Sequence, residues 1–154
     1  MLFRKPLFAA LAAVLAAVPA HAAPDAVTLT GEVKVIREVS ENGAVRQVLE
    51  SPEKVLPGDK LVFATRYRNA GTAPATDFVV TNPLPTPVRL ARADGLEVSV
   101  DGGKSFGPLA GLTVAGAGGA RRAAVLDDVT HVRWRIAAIA PGASGEVKYF
   151  GEVR

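Results

Sequence analysis

Apolar and polar residues alternate along much of this chain, and Gly, Pro, Asn or Asp separates the alternating segments. In residues 60–69 one face carries Leu61, Phe63, Thr65 and Tyr67. Residues 129–136 repeat the pattern around Trp134, the one tryptophan of the chain. A period of two puts successive side chains on opposite faces of a strand. No segment beyond residue 22 shows the 3.6-residue apolar period of a helix, so the sequence predicts an all-β chain.

Turn residues indicate how the strands are connected. Asn42-Gly43 suits the positive φ angles of a two-residue hairpin turn, which predicts an amino-terminal β-hairpin over residues 27–49. Pro83 is expected to end regular pairing, and the Gly/Ala-rich residues 115–120 are expected to form a mobile loop. Short strands with Gly/Pro turns predict a two-sheet antiparallel β-sandwich of about seven to nine strands. We expect Trp134 at the centre of its core.

The first 22 residues have the layout of a secretory signal peptide. Two basic residues precede an apolar run, which is followed by Pro19 and the small-residue pattern Ala20-His21-Ala22. The run is shorter than the roughly 20 residues that a membrane-spanning helix needs. We therefore expect cleavage after Ala22, a single domain over residues 23–154, and a periplasmic or secreted protein without a transmembrane segment.

The charge of the expected mature chain is close to neutral. Arg4 and Lys5 belong to the signal segment, which leaves 16 of the 18 basic residues against 15 acidic ones. This balance gives no electrostatic indication of nucleic-acid binding, and no nucleic-acid partner is expected. The chain has no Cys, which excludes disulfides and a lipoprotein anchor.

Several short motifs occur in a characteristic order. They are the Pro57-Gly58-Asp59 lead-in to a strand, the Asn69-Ala70-Gly71 turn, the Asn82-Pro83-Leu84-Pro85 segment, the Val132-Arg133-Trp134 strand and the Pro141-Gly142 turn. Together they resemble the conserved repeat domain called domain of unknown function eleven, over about residues 53–153. The resemblance implies an immunoglobulin-like sandwich in the bacterial or archaeal cell envelope, and it supplies no catalytic residues. Asn82 stands where that family usually has Asp, and this chain carries one copy of a domain that usually occurs in tandem.

Candidate catalytic and metal-binding residues are few. Residues 99–106 resemble the Asp-box pattern of glycan-active propellers, but a propeller needs several blades. A structural turn is favoured, in which Asp101 caps a hairpin. Asp127-Asp128 falls far short of a calcium loop, and His131, expected on an outward face, has no Cys or second mature His to complete a zinc site. We expect no catalytic residues, no metal and no cofactor.

Four arginines form the candidate anionic-ligand patch. Arg66 and Arg68 share the outward face of one predicted strand, and Arg133 and Arg135 share that of another. If these strands were neighbours, the four guanidinium groups could bind phosphate or carboxylate groups of envelope polymers. The alternative is two ordinary solvated strand faces, because the usual sandwich order places such strands in different sheets.

The sequence favours a non-enzymatic envelope protein that has a structural or protein-binding role. The amino-terminal hairpin is the expected docking edge, because a partner can add a strand there. A module that binds a glycan or an anionic polymer through the arginines is the alternative. An enzyme is the least favoured class, and a buried pocket with convergent polar groups would be needed to support it.

Overall fold

The computed structural model describes residues 26–154, so the expected signal peptide lies outside the described residues. No α-helix occurs in this part of the chain, which is built from strands and short 3-10 turns. The strands are β1 (Val27–Glu41), β2 (Ala44–Glu50), β3 (Lys60–Asn69), β4 (Ala75–Pro83), β5 (Val88–Leu90), β6 (Glu97–Ser99), β7 (Thr113–Ala115), β8 (Arg121–Ala123), β9 (His131–Ile139) and β10 (Ser144–Val153).

The strands form three antiparallel sheets. The first sheet has the order β2-β1-β3-β10-β5, the second has the order β4-β9-β6, and β7 and β8 form a separate pair. The prediction of an all-β antiparallel chain is confirmed. The strand count of residues 26–154 is ten rather than the expected seven to nine. Strands β7 and β8 pair as a short hairpin on either side of the residues that were expected to form a loop. A 3-10 turn, Ala117–Gly119, connects them.

The hairpin of β1 and β2 forms where the sequence predicts it. Asn42 and Gly43 connect the strands with φ angles of 53° and 79°. Positive φ at both turn residues is the signature of a type I′ turn, whose twist matches that of the flanking strands. Glu41 pairs with Ala44 directly beside the turn, and the register runs to Val35 opposite Glu50.

The main core lies between the two larger sheets. Leu90 and Tyr149 come from the first sheet, and Val98 and Val132 come from the second. Val98 and Val132 are cross-strand partners and are both completely buried. The expectation that Trp134 is the centre of the core is wrong. Its indole is partly buried and packs against this cluster, with a ring centroid 6.2 Å from that of Tyr149.

Asn69 ties the two larger sheets together at one end. Its side chain is completely buried at the end of β3. Its Nδ2 donates to the carbonyls of Ala73 and Ile139, both at 2.9 Å, and its Oδ1 accepts from the Gly71 amide at 2.9 Å. Ile139 ends β9 in the second sheet, so one amide group joins the β3–β4 turn to both sheets.

Strand β4 is an edge of the second sheet, and it is longer than predicted. Pairing with β9 continues to Pro83 opposite His131, whereas the sequence suggested that Pro83 would end it. A proline is tolerated on an edge strand because its missing N–H can face away from the ladder.

Candidate interaction surface

The four candidate arginines lie in two places rather than one. Arg66 and Arg68 lie on β3 in the first sheet, and Arg133 and Arg135 lie on β9 in the second. The side chains of each pair face away from the core between the sheets, because Phe63 and Trp134 of the same strands pack into it. The structure therefore does not bring the four guanidinium groups together.

Arg66 belongs to a network of alternating charges on the outer face of the first sheet. Its Nε lies 3.0 Å from an oxygen of Glu146, and its Nη2 lies 3.6 Å from Glu32. Lys148 and Lys34 contact the same two carboxylates at 2.6 Å and 2.9 Å. Hydrogen bonds from Lys148 and Arg66 lower the pKa of Glu146 below its usual range. Each of the three bases contacts one of the two carboxylates, so this part of the face is not a cationic patch.

Arg133 and Arg135 share one carboxylate. Their Nε atoms lie 2.8 Å and 3.2 Å from the same oxygen of Glu97. The hydrogen bond from Arg133 is the main cause that lowers the pKa of Glu97. The Arg133 guanidinium also lies 4.0 Å above the ring centroid of Phe106. This side chain is held by an acid and an aromatic ring, which favours a structural role for it.

Arg68 has a different environment. The strand register places it in one row with Thr28 and Ser144 on the outer face of the first sheet. The row lines an open depression of about 650 Å³ that also includes Arg66 and Glu146. Within residues 26–154, no Asp or Glu forms an ion pair with Arg68. Of the four candidates, Arg68 is the one whose charge is available to a ligand.

The Asp-box residues form a self-contained turn. The Ser99 hydroxyl donates to Asp101 Oδ1 at 2.7 Å and accepts from the Gly103 amide at 2.9 Å. Asp101 also accepts from the amide of Ser105 at 3.0 Å and from its hydroxyl at 2.6 Å. These hydrogen bonds, the one from the Ser105 hydroxyl first, hold the pKa of Asp101 far below its usual range. The carboxylate is occupied by its own turn, which favours the structural interpretation.

The remaining titratable candidates also have local roles. Asp128 forms two 2.7 Å contacts with the guanidinium of Arg122 and accepts from the Val125 amide at 2.8 Å. The hydrogen bond from Arg122 is the main cause that lowers the pKa of Asp128 to about 2. His131 is half-buried rather than fully solvated, because its ring packs over Gly103 of the Asp-box turn. No group of three His, Cys, Asp or Glu side chains with metal-site geometry occurs in the described part of the chain.

Strand β2 is a free edge of the first sheet. None of the strands described within residues 26–154 pairs with its outer side. The amide of Ala70 donates to the carbonyl of Ala26. The backbone N–H and C=O groups of the even-numbered residues of β1 therefore point toward β3. Backbone groups alternate sides along a strand, so the N–H and C=O groups of the odd-numbered residues of β1 point toward β2. They form hydrogen bonds with the backbone groups of the even-numbered residues of β2. The N–H and C=O groups of Val45, Gln47 and Leu49 therefore point away from the sheet.

Exposed apolar side chains concentrate on and after this edge. Seven large apolar residues of the described chain are exposed, and four of them fall within twelve consecutive positions. These four are Val45, Leu49, Val55 and Leu56. Val45 is 68% exposed and Leu49 is 61% exposed. The hairpin was expected to be a docking edge, but these exposed side chains were not predicted. Val45, Val48 and Leu49 depart from strict alternation and were a usable signal.

Comparisons with known proteins give no further assignment. No family model, no curated protein and no solved structure matches this chain. Among residues 26–154, no helix has the length and apolar character needed to cross a membrane.

Proposed function

We propose that this chain is a non-enzymatic, exported protein-binding module that accepts a strand from a protein partner at the free edge of β2. The observation that carries the proposal is the combination of open backbone groups and exposed apolar side chains on the same seven-residue strand. Strand addition uses backbone hydrogen bonds for affinity and alternate side chains for specificity.

The edge lacks several of the features that usually block strand addition. Natural edge strands are protected by Pro, by charged side chains and above all Lys, by bulges or by very short length. Strand β2 has neither Pro nor Lys, and its register with β1 is unbroken over its whole length. Its two charged residues, Arg46 and Glu50, are even-numbered and lie on the face opposite Val45 and Leu49. By contrast, the edge strand β4 carries Pro83 and has positive φ at Asp77, where its pairing is interrupted. The contrast supports β2 as the docking edge of this molecule.

Gln47→Pro tests the proposal directly. Proline at position 47 removes an N–H that points away from β1, so the hairpin keeps its own hydrogen bonds. We expect the Gln47→Pro protein to lose a partner that the parent protein captures from an envelope extract. Gln47→Thr keeps the amide and is the matched control, which should retain the partner.

Thermal unfolding and amide hydrogen exchange are measured beside the capture of the partner. Both variants should melt close to the parent protein, since position 47 is exposed. Amide hydrogen exchange at Val45, Gln47 and Leu49 should slow when the captured partner is added to the parent protein. A partner that binds the parent and Gln47→Pro equally, without slowing exchange at these amides, would remove β2 from the proposal.

The finer fold assignment and the location belong to the same proposal. An immunoglobulin-like arrangement, related to the envelope repeat domain that the sequence resembles, is supported by the core between two antiparallel sheets and by the Asn69 turn. A periplasmic or secreted location is supported by the composition of residues 1–22. Cell fractionation with an antibody against the chain tests the location.

A second candidate function, binding of an anionic polymer, is favoured by Arg68 alone. Its guanidinium lies with the hydroxyl residues Thr28 and Ser144 along an open depression, where a carboxylate or sulfate group of a glycan could accept hydrogen bonds. Arg68→Ser should lower retention on heparin or lipopolysaccharide resin. Arg135→Ser removes the same charge from a guanidinium paired with Glu97 and is the control. Equal elution of the two variants would reject the site.

A further inference from the structure

We infer that the strand which pairs with β2 is the β2 strand of a second copy of this chain, in an antiparallel register centred on Gln47. The inference rests on the proposed strand addition and names its partner. Three features of β2 carry it, namely the direction of its free backbone groups, the match of its exposed side chains and the placement of its charges.

The backbone groups are self-complementary about Gln47. When two β2 strands run antiparallel with Gln47 opposite Gln47, Val45 of one copy lies opposite Leu49 of the other. All three residues carry outward backbone groups, so each facing pair is a hydrogen-bonded pair that exchanges two N–H···O bonds. The two-fold axis passes through the Gln47 pair, as a closed symmetric dimer requires.

The side chains match in the same register. Val45 and Leu49 are exposed on one face of the hairpin, and pairing places each against the other. On the opposite face Arg46 faces Val48 of the second copy and is diagonal to both Glu50 and Arg46 of that copy. Its guanidinium already lies 2.9 Å from a carboxylate oxygen of Glu41 in its own hairpin. Glu50 lies opposite Ala44, so no like charges face each other directly.

Shifted registers are less favourable. A register centred on Arg46 places two guanidinium groups opposite each other, and like charges at directly facing positions destabilise a strand pair. A register centred on Val48 places Arg46 opposite Glu50 and Val48 opposite Val48, but it places Leu49 opposite Gln47 and Val45 opposite Ser51. Its two most exposed apolar side chains then face polar residues. The register about Gln47 is favoured because it places Val45 against Leu49 and leaves no like charges directly opposite each other.

The dimer should depend on concentration. A single strand pair buries less surface than the roughly 1,200–2,000 Å² of a stable protein–protein interface. We expect analytical ultracentrifugation of residues 23–154 to show a monomer at low micromolar concentration and a growing dimer fraction toward about 1 mM.

Cysteine crosslinking tests the register, since the chain has no Cys of its own. Facing residues of a hydrogen-bonded pair have Cα atoms about 5.5 Å apart, inside the range of a disulfide. Gln47→Cys should therefore give a covalent dimer under mild oxidation. Arg46→Cys and Val48→Cys are matched controls, which would crosslink faster than Gln47→Cys if either shifted register formed instead.

A charge exchange at position 47 tests the pairing without a covalent bond. Gln47→Lys and Gln47→Glu each place like charges on the two-fold axis, so each variant alone should remain monomeric at concentrations where the parent dimerises. An equimolar mixture should form the mixed dimer. Dimers in every sample, or monomers in the mixture together with no Gln47→Cys crosslink, would overturn self-pairing.

These outcomes separate the inference from the proposed function. If self-pairing fails while Gln47→Pro still abolishes capture of an envelope partner, strand addition at β2 stands and its partner is a different protein. If Gln47→Pro changes neither self-association nor capture, both the inference and the proposed function are wrong.

Discussion

The buried amide of Asn69 should be one of the most sensitive positions in this protein. Asn69→Asp keeps the size of the side chain but replaces a two-hydrogen donor by an oxygen. The carbonyls of Ala73 and Ile139 each lose a 2.9 Å hydrogen bond, and the new oxygen faces both of them. Each buried carbonyl left unpaired costs about 1–3 kcal/mol. We expect a loss of roughly 2–6 kcal/mol in the free energy of unfolding, a large fraction of the about 5–15 kcal/mol of a typical domain.

Urea unfolding followed by circular dichroism measures this loss, and its pH dependence identifies the cause. Burial among carbonyls favours the neutral acid, which raises the folded-state pKa of an Asp at position 69 above its unfolded value. A raised folded pKa gives stability that is present below the unfolded pKa of about 3.9 and lost as the pH rises. The deficit of Asn69→Asp should therefore be larger at pH 7 than at pH 4.

Asn42→Asp is the matched control. Asn42 is exposed in the hairpin turn, and Asp also tolerates a positive φ there. This substitution should cost less than about 0.5 kcal/mol. The reasoning is refuted if Asn69→Asp and Asn42→Asp have the same unfolding midpoint, because the bonds to Ala73 and Ile139 would then contribute nothing to stability.

Two further predictions concern a glycine and an acid. Gly145→Ala should lower stability by about 1–3 kcal/mol in urea unfolding, because the new methyl group would overlap the Tyr67 hydroxyl and the ring would have to move. Gly31→Ala, with nothing within 4 Å of the added carbon, should leave the midpoint nearly unchanged, and equal losses would refute the steric argument. The pKa of Asp101 is lowered by Ser105, so its contribution to stability is present above the unfolded pKa and is lost as the pH falls below about 4. Asp101→Asn should reduce the decrease of the urea unfolding midpoint between about pH 5 and pH 2. A pH dependence equal to that of the parent protein would show that the turn does not depend on the charge.

The local structure followed from short-range rules. Asn42-Gly43 predicted a hairpin because two adjacent residues needed positive φ, and both have it. The alternation in residues 60–69 predicted a strand whose bounds match β3. Asn69-Ala70-Gly71 was identified as a turn, and the Asn69 Oδ1 accepts from the Gly71 amide within it. Each of these properties depends on residues only a few positions apart.

The candidate site was less predictable, because ion pairs and burial depend on residues that are distant in the chain. Arg66 is neutralised by Glu146, eighty positions away, and Arg133 by Glu97 across a strand pair. Nothing in the alternation distinguishes Arg68 from Arg66. Arg68 lies between two hydroxyl residues, Thr28 and Ser144, whereas Arg66 lies opposite Glu146 and 3.6 Å from Glu32. Trp134 was misplaced for the same reason, since the order of the strands decides which side chain lies at the centre of a core.

Residue patterns were enough to predict antiparallel strands and the positions of the tightest turns, and the charges and the lack of Cys restrict the chemistry that this chain can perform. The separation of the four arginines, the link that Asn69 makes between two sheets, and the open edge of β2 with Val45 and Leu49 exposed depend on how the chain folds. The two sets of properties differ in the sequence range of the interactions behind them. Strand periodicity and turn angles act over neighbouring residues, whereas strand order sets which distant side chains meet and which backbone groups stay available to a partner.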